Sequence, residues 1–248
     1  MQKEEVEGLL AFLEQAAATG QPIPQYAGIN RRRHEGCITR SGEWKRFWGQ
    51  SRLAVHILLQ SGLRCDEVAE LQVRDCDTGS RPFRLLVRGG KKRRADEVDA
   101  VLIPGDLADE LKAWIAAHQL SATDHLIRNR RGARCSRRWI YELAKAPMRQ
   151  LTLNPKFATH HYRHRYATTL LQRTGGNLLF VQKQLRHRSL QPTSAYLHMA
   201  DYEESALDAV DRMSLDGDAE SQTSAPAGQS ERLALAMQLE EERRGGRR

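Results

Sequence analysis

Four short segments of the 248-residue chain concentrate side chains suited to work on a phosphodiester. SGLRCDEVAEL carries Arg64 at a helix start. VRGGKKRR carries Lys91, Lys92, Arg93 and Arg94 in a basic turn. THHYRHRYATTLL carries His160, His161, Arg163 and His164, and LRHRSLQPTSAYLH carries His187 and Tyr196. His160 and Arg163 are three residues apart, so both project from one helical face. Tyr196 follows His187 by nine residues, after a turn, on a short helix begun by Pro192–Thr193. Arginine forks match phosphate oxygens two at a time. A tyrosine hydroxyl can attack phosphorus and form a covalent phosphotyrosine. An ammonium or imidazolium can protonate the departing sugar oxygen.

These residues need a scaffold, and apolar periodicity supplies one that is mostly helical. Val6, Leu9, Leu10, Leu13 and Ala17 line one face of a helix over 3–17. Further helices are expected at about 44–60, 65–72, 106–117, 136–150, 160–173, 178–186 and 192–198, with Ser61–Gly62 breaking the second and Ser136 capping the fifth. FRLLVR at 83–88 and VDAVLI at 98–103 read as strands joined by the basic turn, either a β-hairpin or part of a small sheet. Residues 18–43 form a loop or insertion containing Arg31, Arg32 and Arg33. RNRRGAR at 128–134 is a second basic loop. The expected class is α+β, mainly α, with residues 1–213 as one domain. Residues 201–213 suit an acidic amphipathic helix. SLDGDAESQTSAPAGQS is too small and polar to order itself. A short helix over 230–242 and the basic tail RRGGRR complete the chain, which has no internal repeat.

Composition narrows the partners. Net charge is +8, but residues 201–220 hold eight acids against Arg212 alone, so residues 1–200 carry +14. A body this basic implies a polyanion, most often nucleic acid. Arg130, Arg131, Arg134, Arg137 and Arg138, with the 31–33 and 92–94 runs, are the bases expected to contact the DNA backbone. Such contacts position a duplex without reading its sequence. No apolar run approaches the roughly 18–20 residues of a membrane span. The acidic N-terminus MQKEEVEGLLAFLEQ does not read as a signal peptide. Cys37, Cys65, Cys76 and Cys135 include no close pair, which argues against a disulfide scaffold or a cysteine zinc site. The expected setting is the cytoplasm, at the nucleoid.

The ordered set Arg, Lys, His-x-x-Arg, His, Tyr resembles the tyrosine recombinases, the phage integrase family, over residues 3–213. SGLRCDEV resembles the family's TGLRxxEL, with Glu67 at its acidic position. VRGGKKRR resembles the lysine hairpin, with Lys91 favoured and Lys92 one residue away. HHYRHRYAT resembles HxLRHTFAT. LRHRSLQPTSAY resembles LGHxxxxxTxxY, with Thr193 at the threonine and Tyr196 at the nucleophile's place. Arg186 stands where the family has glycine. The family's N-terminal core-binding domain has no counterpart, a compact form shared by the invertases that switch fimbrial promoters.

The resemblance implies a catalytic-domain fold shared with type IB topoisomerases, and a 3′-phosphotyrosine formed at Tyr196. It implies that Arg64 and Arg163 grip the scissile phosphate and that Lys91 protonates the 5′-oxygen. His160 and His187 would handle the nucleophile's proton and bond the phosphate. Glu67 would support its neighbours, His161 and His164 would be structural, and Tyr141, Tyr162, Tyr166 and Tyr202 would be packing or surface residues. Neither metal nor other cofactor is implied. The expected partners are double-stranded DNA, a homo-tetramer on two DNA sites, and accessory DNA-binding proteins. Two rivals stay open: a type IB topoisomerase that relaxes supercoils, and a DNA-binding regulator without catalysis.

Overall fold

The computed structural model describes residues 3–22, 41–88, 98–151, 158–187, 189 and 191–194. The chain divides into two compact units, residues 1–166 and 167–248. The first holds α1 (Lys3–Thr19), α2 (Ser41–Ser61), α3 (Cys65–Glu70), α4 (Gly105–Ala117) and α5 (Arg137–Gln150). It also holds a sheet of β1 (Cys76–Asp77), β2 (Arg84–Arg88) and β3 (Val98–Leu102). Helix α6 (His160–Arg173) starts in the first unit and continues into the second, which adds α7 (Leu178–Leu185) and α8 (Gln191–Ser194). The fold is α+β and mainly helical, as the sequence predicts.

Helix α2 is the spine of the first unit, packing on α1 and α5. Its fully buried Trp48 meets Phe12 of α1 edge-to-face at 5.3 Å, and its indole N–H donates to the Gln21 carbonyl at 2.8 Å. Helix α5 contains Pro147, which has no N–H to give to the Leu143 carbonyl four residues back. Ser51 of α2 donates to that carbonyl instead, at 2.6 Å. A buried acceptor that the helix cannot satisfy thus becomes a bond between two helices.

The strands pair antiparallel in the order β1-β2-β3, with Leu85 opposite both Cys76 and Val101. Leu85, Val87 and Val101 are buried on one face, the period of two expected of strands. The sequence predicts only β2 and β3. Strand β1 has two residues, too few for a pattern. It follows a 3-10 turn, Val73–Asp75, which is capped when the Asp75 carboxylate accepts from Gln72 N–H at 3.0 Å.

Most expected helices match within three residues at each end. Helix α3 is shorter than the expected 65–72: it stops at Glu70 because Leu71 turns extended and its carbonyl accepts from Leu126 N–H at 3.0 Å. Helix α8 stands where 192–198 was expected. The loop residues Arg31–Arg33, the turn from Lys91 to Arg94, Tyr196, the 201–213 and 230–242 helices and the intervening linker lie outside the described residues. Among the described residues no helix is long and apolar enough to cross a membrane.

Candidate active site

The turn ending α2 sets the position of Arg64. Ser61 Oγ donates back to the Ile57 carbonyl at 2.5 Å, and Gly62 follows with φ +61°. A Cβ at Gly62 would lie 2.4 Å from the Tyr166 ring, so the position needs glycine both for its left-handed φ and for space. Arg64 then caps α3. Its N–H donates to one Glu67 oxygen at 2.6 Å, and its guanidinium donates to the other at 3.2 Å. Glu67 therefore holds both ends of Arg64, the supporting role expected of it.

Helix α6 brings the second box to the same place. Tyr162 is fully buried and donates to the Ala144 carbonyl at 2.9 Å, while Tyr166 packs on Gly62. That fixes the helix about its axis and turns Arg163 inward. Only 6% of Arg163 is exposed, and its guanidinium donates to the Gly62 carbonyl. Tyr162 and Tyr166 thus pack as expected. Tyr141 is partly buried and accepts from Lys145 at 3.1 Å. His161 Nδ1 lies 3.1 Å from the Ala158 nitrogen and 2.9 Å from the Ala158 carbonyl oxygen, so the ring serves as a local cap. Desolvation, then electrostatic interaction with His161, His160 and Arg163, hold the His164 imidazole below its usual range.

Arg64, His160 and Arg163 line one concavity of ≈ 40 Å³ in the first unit, room for more than one water-sized group. Cys65, Asp66, Arg137 and Thr159 also border it. The Cys65 thiol is pushed up by burial, an effect offset in part by its bond to Thr159 and then by the Arg137 charge. It stays a protonated thiol beside the arginines. Two guanidinium groups and an imidazole bordering one hollow have the chemistry to hold a tetrahedral oxyanion.

His187 belongs to the second unit. Helix α7 ends with Arg186 in the left-handed region, φ +56°, ψ +38°. Arg186 N–H donates to the Lys183 carbonyl at 3.0 Å, and His187 N–H donates to the Gln182 carbonyl at 3.1 Å. These are the paired bonds of a Schellman ending, which favours glycine at the left-handed residue. His187 Nδ1 lies 2.8 Å from Oγ1 of Thr193, which is fully buried. Thr193 thereby sets the plane of the imidazole. Lys91 and Tyr196 lie outside the described residues.

The basic loop is more differentiated than its sequence suggests. Arg130 pairs with Glu43 at 3.2 Å, Arg138 with Glu142 at 3.6 Å, and Arg134 with Glu70. Arg131 and Arg137 have no carboxylate partner among the described residues. Ser136 caps α5 as expected, its Oγ accepting from Trp139 N–H at 3.2 Å. Sequence reasoning did not bring Arg137, Cys65 and Thr159 to the concavity. Their positions depend on how α3, α5 and α6 meet, which no local spacing encodes.

Residues 47–203 match the profile of the phage integrase family. Tyrosine recombinase XerC of Mycobacterium tuberculosis (strain ATCC 25177 / H37Ra) is 33% identical over 156 residues, covering 61% of this chain and 50% of the relative. A tyrosine recombinase of Pseudothermotoga lettingae is 28% identical over 165 residues, covering 66% and 54%. The chain thus spans about half the length of the curated relatives it matches. The crystal structure of XerH site-specific recombinase, bound to a palindromic difH substrate in a post-cleavage complex, shares the fold with a TM-score of 0.60. It is 20% identical and covers 86% of this chain and 53% of its own. XerA recombinase gives 0.55 at 23% identity, covering 73% and 66%. With its profile match extending over more than half of its length, the chain belongs to the phage integrase family, the tyrosine recombinases.

Proposed function

We propose that this protein is a site-specific DNA recombinase that cuts and rejoins strands through a 3′-phosphotyrosine at Tyr196. The phenolic oxygen attacks the scissile phosphorus, the bond from phosphorus to the 5′-oxygen breaks, and that oxygen takes a proton from Lys91, with Lys92 the alternative donor. Arg64 and Arg163 hold the non-bridging oxygens, whose charge grows in the transition state. His160 and His187 manage the tyrosine proton and bond the phosphate. The phosphotyrosyl ester keeps the energy of the broken link, so a 5′-hydroxyl from another strand can reverse the step without ATP. Four copies act on two duplex sites in the cytoplasm, with accessory DNA-binding proteins. Arg31–Arg33, Lys92–Arg94, Arg131 and the neighbouring bases grip the duplex backbone.

The observation that supports this most is the convergence of Arg64, Arg163 and His160 on one concavity. The test is covalent capture on nicked suicide duplexes drawn from a pooled library of sites. The protein should form an adduct stable to denaturant, and Tyr196→Phe should bind DNA equally well without forming one. An adduct from Tyr196→Phe would sink the assignment. Site-independent relaxation of plasmid supercoils would favour the topoisomerase. Binding without any adduct from the unaltered protein would favour the regulator.

A further inference from the structure

We propose that Arg137 is a third phosphate-gripping guanidinium of the concavity formed by Arg64 and Arg163, not one more base strung along the duplex. The proposal rests on the reading of that concavity as the scissile-phosphate site.

Three observations carry it. Arg137 borders the same hollow, although it lies 73 positions after Arg64 and 26 before Arg163. Its place is fixed from below, because it is the first residue of α5 and Ser136 pins that helix start through Trp139 N–H. Its charge is also uncommitted. Arg130, Arg134 and Arg138 each face a glutamate, and Arg64 is shared with Glu67, but Arg137 has no carboxylate partner among the described residues. Of the three arginines that line the hollow, Arg163 is buried, whereas Arg64 and Arg137 are exposed. Asp66 is the carboxylate that borders the hollow. Three guanidinium groups against it leave a net positive receptor, and a phosphate has enough oxygens to engage more than two forks. The influence of Arg137 on the Cys65 thiol is consistent with a charge directed into this hollow.

The test uses the full chain, isotopically labelled, with inorganic phosphate as the probe. Arginine side-chain N–H signals, assigned by single substitutions, are followed by NMR during titration. The Arg137 signal should move along the same saturation curve as those of Arg64 and Arg163. Arg137→Ala should weaken phosphate binding about tenfold, the loss of one charge-assisted contact. Arg137→Lys should recover part of this, and Lys112→Ala, a charge removed elsewhere on the first unit, should change nothing. Circular dichroism checks the fold of each variant. A mixed-sequence 20-base-pair duplex should then displace phosphate from all three arginines together. Movement of Arg64 and Arg163 without Arg137, or unchanged affinity in Arg137→Ala, overturns this inference and leaves the two-arginine site standing. Silence from all three arginines overturns both readings. Phosphate that stays bound under saturating duplex marks a free-phosphate site and also overturns the proposal.

Discussion

Arg163 and Arg64 line one hollow but are held differently, and that difference separates their substitutions. Arg163 is buried and donates to the Gly62 carbonyl at the turn that launches Arg64. Arg64 is exposed, and among the described residues its carboxylate partner is Glu67. Either change to alanine should slow cleavage by about 10²–10³, the effect of losing one preorganised donor to developing charge. Only Arg163→Ala should also lower stability, by about 1–3 kcal/mol, because a buried carbonyl loses its donor. Single-turnover cleavage and thermal melting of both variants check this, and a near-normal rate in either would mean that the position is misassigned. The leaving-group acid has a separate signature. Lys91→Ala should fail on ordinary DNA and recover on a duplex with a 5′-bridging phosphorothiolate, because sulfur departs without a proton. Rescue of Lys92→Ala but not Lys91→Ala would move the assignment by one residue.

At the scale of elements, two departures from simple rules have definite energetic consequences. Arg186 occupies the left-handed position that ends α7, where a Cβ is strained. Arg186→Gly should therefore stabilise the chain by about 0.5–1 kcal/mol, net of its lost side-chain bond to the Gln184 carbonyl. A fall in the melting midpoint would show that the side chain outweighs the backbone strain. Pro147 makes the Leu143 carbonyl depend on Ser51, so Ser51→Ala should cost about 1–3 kcal/mol in denaturant unfolding, well above an ordinary surface change. A near-zero cost would mean that the carbonyl finds another donor. These cases also mark what the sequence makes legible. Helices α1, α2 and α6 are readable because their apolar faces repeat over many turns. Arg186 is readable as an oddity in its motif, but the strain behind it becomes clear only with its dihedral angles. The Ser51–Leu143 bond and the meeting of Gly62 with Tyr166 join residues 92 and 104 positions apart, and local patterns carry no record of such partners.

At the scale of the whole molecule, charge is distributed in blocks that imply separate tasks. Residues 1–200 carry +14, while residues 201–220 carry −7, so the acidic segment would be repelled by a polyanion bound to the body. It should seek a protein surface. Leu207, Val210 and Met213 recur at i, i+3 and i+6, a stripe suited to packing on a neighbouring copy or back on its own body. Residues 214–229 are small and polar in sequence and should be dispensable for chemistry. Removing 214–248 should leave cleavage by a single protomer intact. Removing everything from residue 201 should impair assembly on paired sites and recombination far more than DNA binding. Gel-shift titrations, analytical ultracentrifugation on duplex DNA and a two-site recombination assay separate these effects. If both truncations recombine equally well, the 201–213 segment has no role in assembly. If the longer truncation loses DNA binding in proportion to recombination, the segment supports the fold of its own chain.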